Sequence, residues 1–255
     1  MRGISVFICV LLVLLGTTTA QAQKISVFGH VSIPYGDFGS TTTNEAGFAK
    51  TGFGGGVEVG IPINIGGALG FSPEQSNTYI IGQVRILSNP IDDGPLSEML
   101  YNELYWYYTY GDVELMALDV NIDKYVNIPV MGGGSVEINT SPNVMIFFKG
   151  LMGVNISMYP DYEVPMTLYD YAYHQYYSIE MVAEADGVGY SFCLNVGAGA
   201  AIGDRFDLGI EMLLLGTPEF DGKVSMWSEG LLIDSTHTTF AQSMAVVNLT
   251  AGIRF

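Results

Sequence analysis

Three histidines set among many carboxylates are the first residues to test for acid–base or nucleophilic chemistry. His30-x-Ser32 lies in an alternating segment, His174 sits in a tyrosine-rich stretch, and His237 follows Ser235-Thr236. A serine nucleophile needs a histidine base within hydrogen-bond reach and a carboxylate to orient that base. A Ser-His-Asp set is conceivable here, but no spacing fixes one, and the chain has no G-x-S-x-G elbow. There is no H-E-x-x-H and no Cys/His cluster to hold zinc. Asp92-Asp93 and Asp161-x-Glu163 are weak signals for calcium, whose loops need an ordered series of oxygen ligands. The expectation is a protein that is not an enzyme and needs no cofactor or metal. A barrel enzyme acting on lipid or peptide is the alternative.

A second set of ionisable residues follows a rule. Glu58, Arg85, Glu137, Lys149, Asp207, Glu211 and Arg254 all fall on the same parity of alternating segments, and none falls on the apolar parity. If those segments close into a barrel, these charges face its lumen. There they either line a pore and select ions, or pair into a packed network that plugs the interior. Eight strands enclose a space just wide enough for side chains to fill, and Phe28, Met131, Phe147 and Leu151 share the inward parity, so a plug is expected over a pore. Glu58 and Arg85, at similar distances from a shared turn, are the expected pair. Gly197 is placed across from Glu211, leaving room for a partner from elsewhere in the lumen.

The elements that must position these charges are strands. The chain has 255 residues, 49% hydrophobic and 14% charged, with 32 glycines, which suits an all-β protein and not a disordered one. In 244–255, Ala245, Val247, Leu249, Ala251, Ile253 and Phe255 alternate with Asn248, Thr250, Gly252 and Arg254. Such period-two alternation marks a strand. The same pattern recurs over 125–138, 144–158, 188–202 and 205–214, and more weakly over 24–34, 52–64 and 78–88, which makes eight. Asn139–Asn143 and Gly203-Asp204-Arg205 read as tight turns, 65–77 as a longer one, and 35–51, 90–123, 160–187 and 217–237 as long connections. Short turns at one end and long loops at the other describe an eight-stranded antiparallel up-and-down barrel.

The inward parity is rich in Gly, Ser, Asn, Thr and Ala, a poor face for water but a good lining for a narrow lumen. The apolar parity then faces lipid, and the expected fold is a transmembrane β-barrel. A balance of 26 acids against 9 bases, formally −17, excludes nucleic acid as a partner. Arg2, the apolar stretch Ile4–Leu15 and Ala20-Gln21-Ala22 read as a secretory signal cleaved after Ala22. That leaves residues 23–255 as one barrel domain. Cys9 is removed with the signal, so Cys193 stands alone as a packing residue.

Three motifs then resemble a known family, the outer-membrane β-barrel domain proteins of the small eight-stranded OmpA/OmpX-like type common in Bacteroidota. They are the C-terminal Leu249-Thr250-Ala251-Gly252-Ile253-Arg254-Phe255, the strand Tyr125-Val126-Asn127-Ile128-Pro129-Val130, and the strand exit Ile33-Pro34-Tyr35-Gly36-Asp37-Phe38. The resemblance implies residence in the outer membrane of a Gram-negative bacterium, contact with its lipid, and assembly by an insertion machinery that reads Leu249, Ala251, Ile253 and Phe255. It implies no reaction. The expected role is structural or surface-interacting, through acidic, Tyr-rich loops that meet an extracellular ligand; a narrow channel for small solutes is a further alternative. The loop tyrosines, from Tyr101 to Tyr110 and from Tyr162 to Tyr177, have two readings: strands extending beyond the membrane with an aromatic girdle, or an exposed surface for glycan or protein binding.

Overall fold

The computed structural model describes residues 24–42, 46–63, 76–108, 112–203 and 205–255. The signal segment 1–22 with Cys9, most of the 65–77 connection, Tyr110 and Asp204 lie outside the described residues. The elements run β1 (Lys24–Pro34), β2 (Gly52–Ile63), β3 (Ser76–Asn89), α1 (Asp93–Tyr108), β4 (Val113–Leu118), β5 (Asn121–Ile122) and β6 (Tyr125–Ser141). Then come β7 (Val144–Met158), β8 (Tyr162–Asp170), β9 (Gln175–Ala185), β10 (Gly189–Ile202), β11 (Phe206–Gly216), β12 (Glu219–Ser228), β13 (Leu231–Ala241) and β14 (Met244–Arg254).

Eight of these strands close into an antiparallel barrel in the order β1-β14-β11-β10-β7-β6-β3-β2, as the alternation required. The first and last strands pair along nine registered positions, from Ser26↔Arg254 to Pro34↔Val246. Closure leaves no unpaired sheet edge, which is what allows strands to cross a bilayer. The turn between β6 and β7 is tighter than expected, since strand pairing continues through a bulge to Ser141↔Val144. Glycines on the inner wall make room for rings. A Cβ on Gly56 would come within 2.7 Å of the Phe28 ring, and one on Gly54 within 2.4 Å of His30.

Above the barrel the structure departs from the sequence reading. The segments 90–123, 160–187 and 217–237, expected to be loops, hold a helix and six further strands. These strands form a second sheet in the order β13-β12-β9-β8-β4, with β5 also paired to β8. The order mirrors the barrel's own β14-β11-β10-β7-β6, because each pair of strands runs on past a short break. Tyr159-Pro160-Asp161, Asp186-Gly187-Val188, Thr217-Pro218 and Gln242-Ser243 are those breaks. Gly187 and Gly216 sit there at φ +77° and +71°, which only glycine adopts without strain. Proline cannot donate to a ladder, so Pro160 and Pro218 help to end pairing at the same level.

The three remaining barrel strands do not continue upward. After the last rung, Tyr35 N–H to Ala245 C=O at 3.0 Å, β1 gives way to a 3-10 helix at Gly36–Gly39 that buries Phe38 in the barrel mouth. The cap is therefore an open half-cylinder. Helix α1 lies against the sheet, with Leu96, Leu100, Tyr101 and Leu104 packed on Leu115, Val164, Met166 and Leu168. The spacing 96, 100, 104 is helical, a signal that the loop reading of 90–123 passed over.

Candidate functional site: the lumen and the cap

Every charge placed inward by parity is in the lumen, joined by Lys24, which parity reasoning missed. Four cations (Lys24, Arg85, Lys149, Arg254) meet four anions (Glu58, Glu137, Asp207, Glu211). At the level of the short turns, Lys24 Nζ reaches Glu137 at 2.7 Å, and Arg254 reaches Glu137 at 3.0 Å and Asp207 at 2.6 Å. One level higher, Lys149 bridges Glu58 at 3.0 Å and Glu211 at 2.6 Å, while Arg85 pairs with Glu211.

The expected Glu58–Arg85 pair does not form. Register places Glu58 opposite Gln83, and Arg85 opposite Gly56. Gln83 instead links the two, donating to Glu58 at 2.9 Å and accepting from Arg85 Nε at 3.1 Å. Charge parity on a strand fixes which side a group faces, but not which group across the barrel it meets. Gly197 does lie opposite Glu211, and the space it leaves takes Lys149.

Aromatic rings complete the packing. Phe28 lies 5.2 Å from the Arg85 guanidinium carbon and 5.7 Å from Lys149 Nζ, both within cation–π range. The cavity left between these groups is about 20 Å³, room for roughly one water. Toward the mouth, Asn155 donates to Asn127 at 2.9 Å and to Ser157 at 2.6 Å. An aromatic stack then covers the exit: Phe38 against Tyr125 at 5.0 Å, Tyr125 against Tyr159 at 5.7 Å, Tyr159 on Phe240 at 5.1 Å. Burial in this stack pushes the Tyr159 phenol up to about 12.

Side chains from all eight strands crowd the lumen at these levels, the arrangement of a plug. Wild-type protein in planar bilayers is expected to give no steady conductance. Reproducible stepwise openings in single-channel traces would demonstrate a continuous water path instead.

The histidines are kept apart. His30 is buried in the lumen, and neither of its ring nitrogens has a hydrogen-bond partner among the described residues. His174 contacts the Tyr169 hydroxyl at 3.3 Å at the exposed tip of the β8–β9 hairpin. His237 lies on β13, where alternation puts Ser235 and His237 on one face and Asp234 on the other. Among the described residues, no nucleophile, base and orienting acid converge at any of the three.

The described tyrosines of both stretches fall on the cap, on α1 and on strands that extend beyond the barrel. Tyr169, Tyr171 and Tyr176 cluster at the hairpin tip with ring centroids 4.8 Å apart, and the Tyr171 hydroxyl bonds Glu114. Nine residues of β8 at about 3.3 Å each carry this tip roughly 30 Å past the barrel rim. Tyr171, Tyr173, Tyr176 and Trp106 are all more than half exposed. Acids surround them. With four carboxylates in the lumen and Glu74 and Asp204 in the short turns, 20 of the 26 acids lie in the long connections, against Lys50, Lys124 and Lys223. A hydrogen bond to Asp92, then the charges of Asp92 and Asp93, hold the exposed Lys50 ammonium above its usual range.

The outer wall is the deciding surface. Val27, Phe53, Ile86, Phe148, Val196 and Ile210 are each at least half exposed and belong to a continuous apolar band, and no charged residue interrupts the outward parity of any described barrel strand. A closed sheet that is apolar outside and polar inside inverts the pattern of a water-soluble barrel. The chain is a small eight-stranded transmembrane barrel of the outer-membrane type.

No protein family and no curated protein matches the sequence. Among solved structures, the barrel is similar to Ail, the attachment invasion locus protein of Yersinia pestis, at 11% identity and a TM-score of 0.39, covering 92% of this chain and 100% of that one. Neisserial surface protein A gives 11% identity and a TM-score of 0.40, covering 93% and 98%. A major outer membrane protein of Thermus thermophilus gives 11% and 0.41, covering 92% and 100%.

Proposed function

We propose that this barrel is a non-enzymatic protein of the Gram-negative outer membrane, with a plugged lumen and a cap that binds an extracellular ligand. The observation that carries the reading is the division of labour in the fold. The lumen is filled by paired charges, while Tyr171, Tyr173 and Tyr176 are exposed together at the far end of a sheet that plays no part in closing the barrel. Tyrosine offers a large contact area and a hydroxyl at low entropic cost, which suits a recognition surface. The ligand is neutral or cationic on the side that meets the cap. A polyanion such as the heparin analogue held by Ail would confront the 18 carboxylates of the cap connections.

The test compares cells carrying the wild type with cells carrying Tyr171→Ala, Tyr173→Ala and Tyr176→Ala together, on glycan-coated and protein-coated surfaces. At least one coating should retain wild-type cells roughly tenfold better than the triple variant. Equal retention of wild-type and deletion strains on every coating would remove the surface role. A changed lipid-A mass profile in the deletion strain would favour the enzyme alternative.

Export with cleavage after Ala22, and recognition of Leu249, Ala251, Ile253 and Phe255 by the insertion machinery, belong to the same proposal. Phe255 pairs with Ile25 through both backbone bonds and leaves its ring 75% exposed at the membrane edge. Deleting Phe255 should reduce outer-membrane assembly in cells and leave protease-sensitive chain behind. Refolding in detergent should change little, because one interfacial side chain contributes only about 1.5–3 kcal/mol of burial. Wild-type assembly by the truncated chain would show that this end is not read.

A further inference from the structure

The cap sheet has two edges, and the fold treats them differently. One edge, β4, is six residues long, carries a bulge between Leu115 and Ala117, and is packed by α1. Short length, a bulge and a covering helix are the usual ways of protecting a sheet edge. The other edge, β13, is neither short nor covered by a helix, and its one irregularity, at Ile233 between Leu232↔Trp227 and Asp234↔Met226, lies near its far end. It is 11 residues long and its pairing with β12 is regular over eight of them, from Asp234↔Met226 to Ala241↔Glu219. It contains no proline, and Asp234 is its one charged residue. Among the described residues, no backbone hydrogen bond reaches it from the side away from β12.

The reason is built into the barrel. β13 runs straight into β14, whose barrel partner is β1. A full cylinder would continue β1 upward beside β13. Instead β1 stops at Pro34 and turns inward to seat Phe38, and among the described residues no strand takes its place beside β13.

Building on the reading of the cap as a binding surface, we infer that β13 takes up an extended, cationic polypeptide segment as an additional strand of the cap sheet. Backbone pairing along an open edge supplies affinity, and the alternating side chains supply selectivity. On one face the incoming residues would lie beside Asp234, Thr236 and Thr238, and on the other beside Ser235, His237 and Thr239. Threonines pair well across strands, and a lysine opposite Asp234 adds an ion pair. Charge sets the sign of the guest, because the three connections that build the cap, 90–123, 160–187 and 217–237, hold 18 acids and one lysine, Lys223.

A second copy of the chain fits less well. Antiparallel pairing of two β13 edges reverses strand direction, and since β13 continues a barrel strand, the second barrel would point the wrong way in the same membrane. Two acidic caps would also repel.

The test uses the full-length protein in detergent micelles with three decapeptides, alternating Thr-Lys, alternating Lys-Pro and alternating Thr-Glu. Anisotropy reads binding and hydrogen exchange reads the amides of 234–241. The Thr-Lys peptide should bind saturably and slow exchange along β13 at least tenfold. Lys-Pro, equal in charge but unable to pair as a strand, should bind at least tenfold more weakly and protect nothing, as should Thr-Glu. Equal binding of both lysine peptides without protection of β13 would reduce the effect to adsorption on an acidic surface and overturn the inference. No binding of Thr-Lys, or a sedimenting dimer with β13 already protected, would overturn it too. Peptide binding is read on pure protein, so its failure is distinct from a failure of cell adhesion, which is read at Tyr171, Tyr173 and Tyr176.

Discussion

Replacing Arg85 by alanine is expected to destabilise the barrel by about 3–5 kcal/mol, the usual consequence of leaving a buried partner charge uncompensated. The guanidinium is fully enclosed, and its main partner, Glu211, is 1% exposed. Removal strips Glu211 of one of its two cations, leaves the Gln83 carbonyl without a donor, and takes the cation from the face of Phe28. Lys149 stays within 2.6 Å of Glu211, which places the expected loss toward the lower end of that range. Asp92→Ala provides the comparison. Asp92 bonds Lys50 at 3.0 Å on the surface, so its loss should amount to well under 1 kcal/mol. The double variant Arg85→Met, Glu211→Leu should recover most of the stability, since it leaves no unpaired charge. Urea unfolding in detergent measures all three. If Arg85→Ala and Asp92→Ala cost the same, the ion pairs are not what fills the lumen.

Ile210→Arg should be nearly as damaging, for the opposite reason. Ile210 is the central outward residue of β11, 54% exposed, with Ala198 and Leu249 beside it on the neighbouring strands. In water an arginine there would be harmless. Facing the middle of a bilayer it costs about 2–4 kcal/mol. The matched control is Leu232→Arg on β13 of the cap, 47% exposed, where a surface change should stay within about 0.5 kcal/mol. Folding yields in lipid vesicles across urea give both values. A negligible effect at Ile210 would mean that the apolar band does not meet hydrocarbon.

Local pattern was enough to specify the barrel: period-two alternation is a property of each segment, and every strand declares its two faces without reference to its neighbours. The same alternation therefore specified which residues look into the lumen, including all seven charges at 58, 85, 137, 149, 207, 211 and 254. Lys24 escaped notice although it obeys the same parity, because it sits at the very start of a weak segment.

The pairings had to wait for the folded chain, because they depend on distances across the barrel. Arg85 and Glu211 are 126 residues apart and meet only because closure and stagger bring β3 and β11 to one level. Glu58 sits on the strand beside Arg85, yet register gives it Gln83, Lys149 and Lys24. The cap was hidden for a related reason. Its strands do alternate, with Val164, Met166 and Leu168 on one face of β8 and Tyr177, Ile179, Met181 and Ala183 on one face of β9. The tyrosines and acids between them make Tyr162–Asp170 and Gln175–Ala185 read as polar, aromatic loop until α1 gives the apolar face something to pack on. That these segments pair, stop short of closing, and leave β13 with a free edge follows from β1 turning inward at Gly36, a choice visible only when both ends of the sheet are in place.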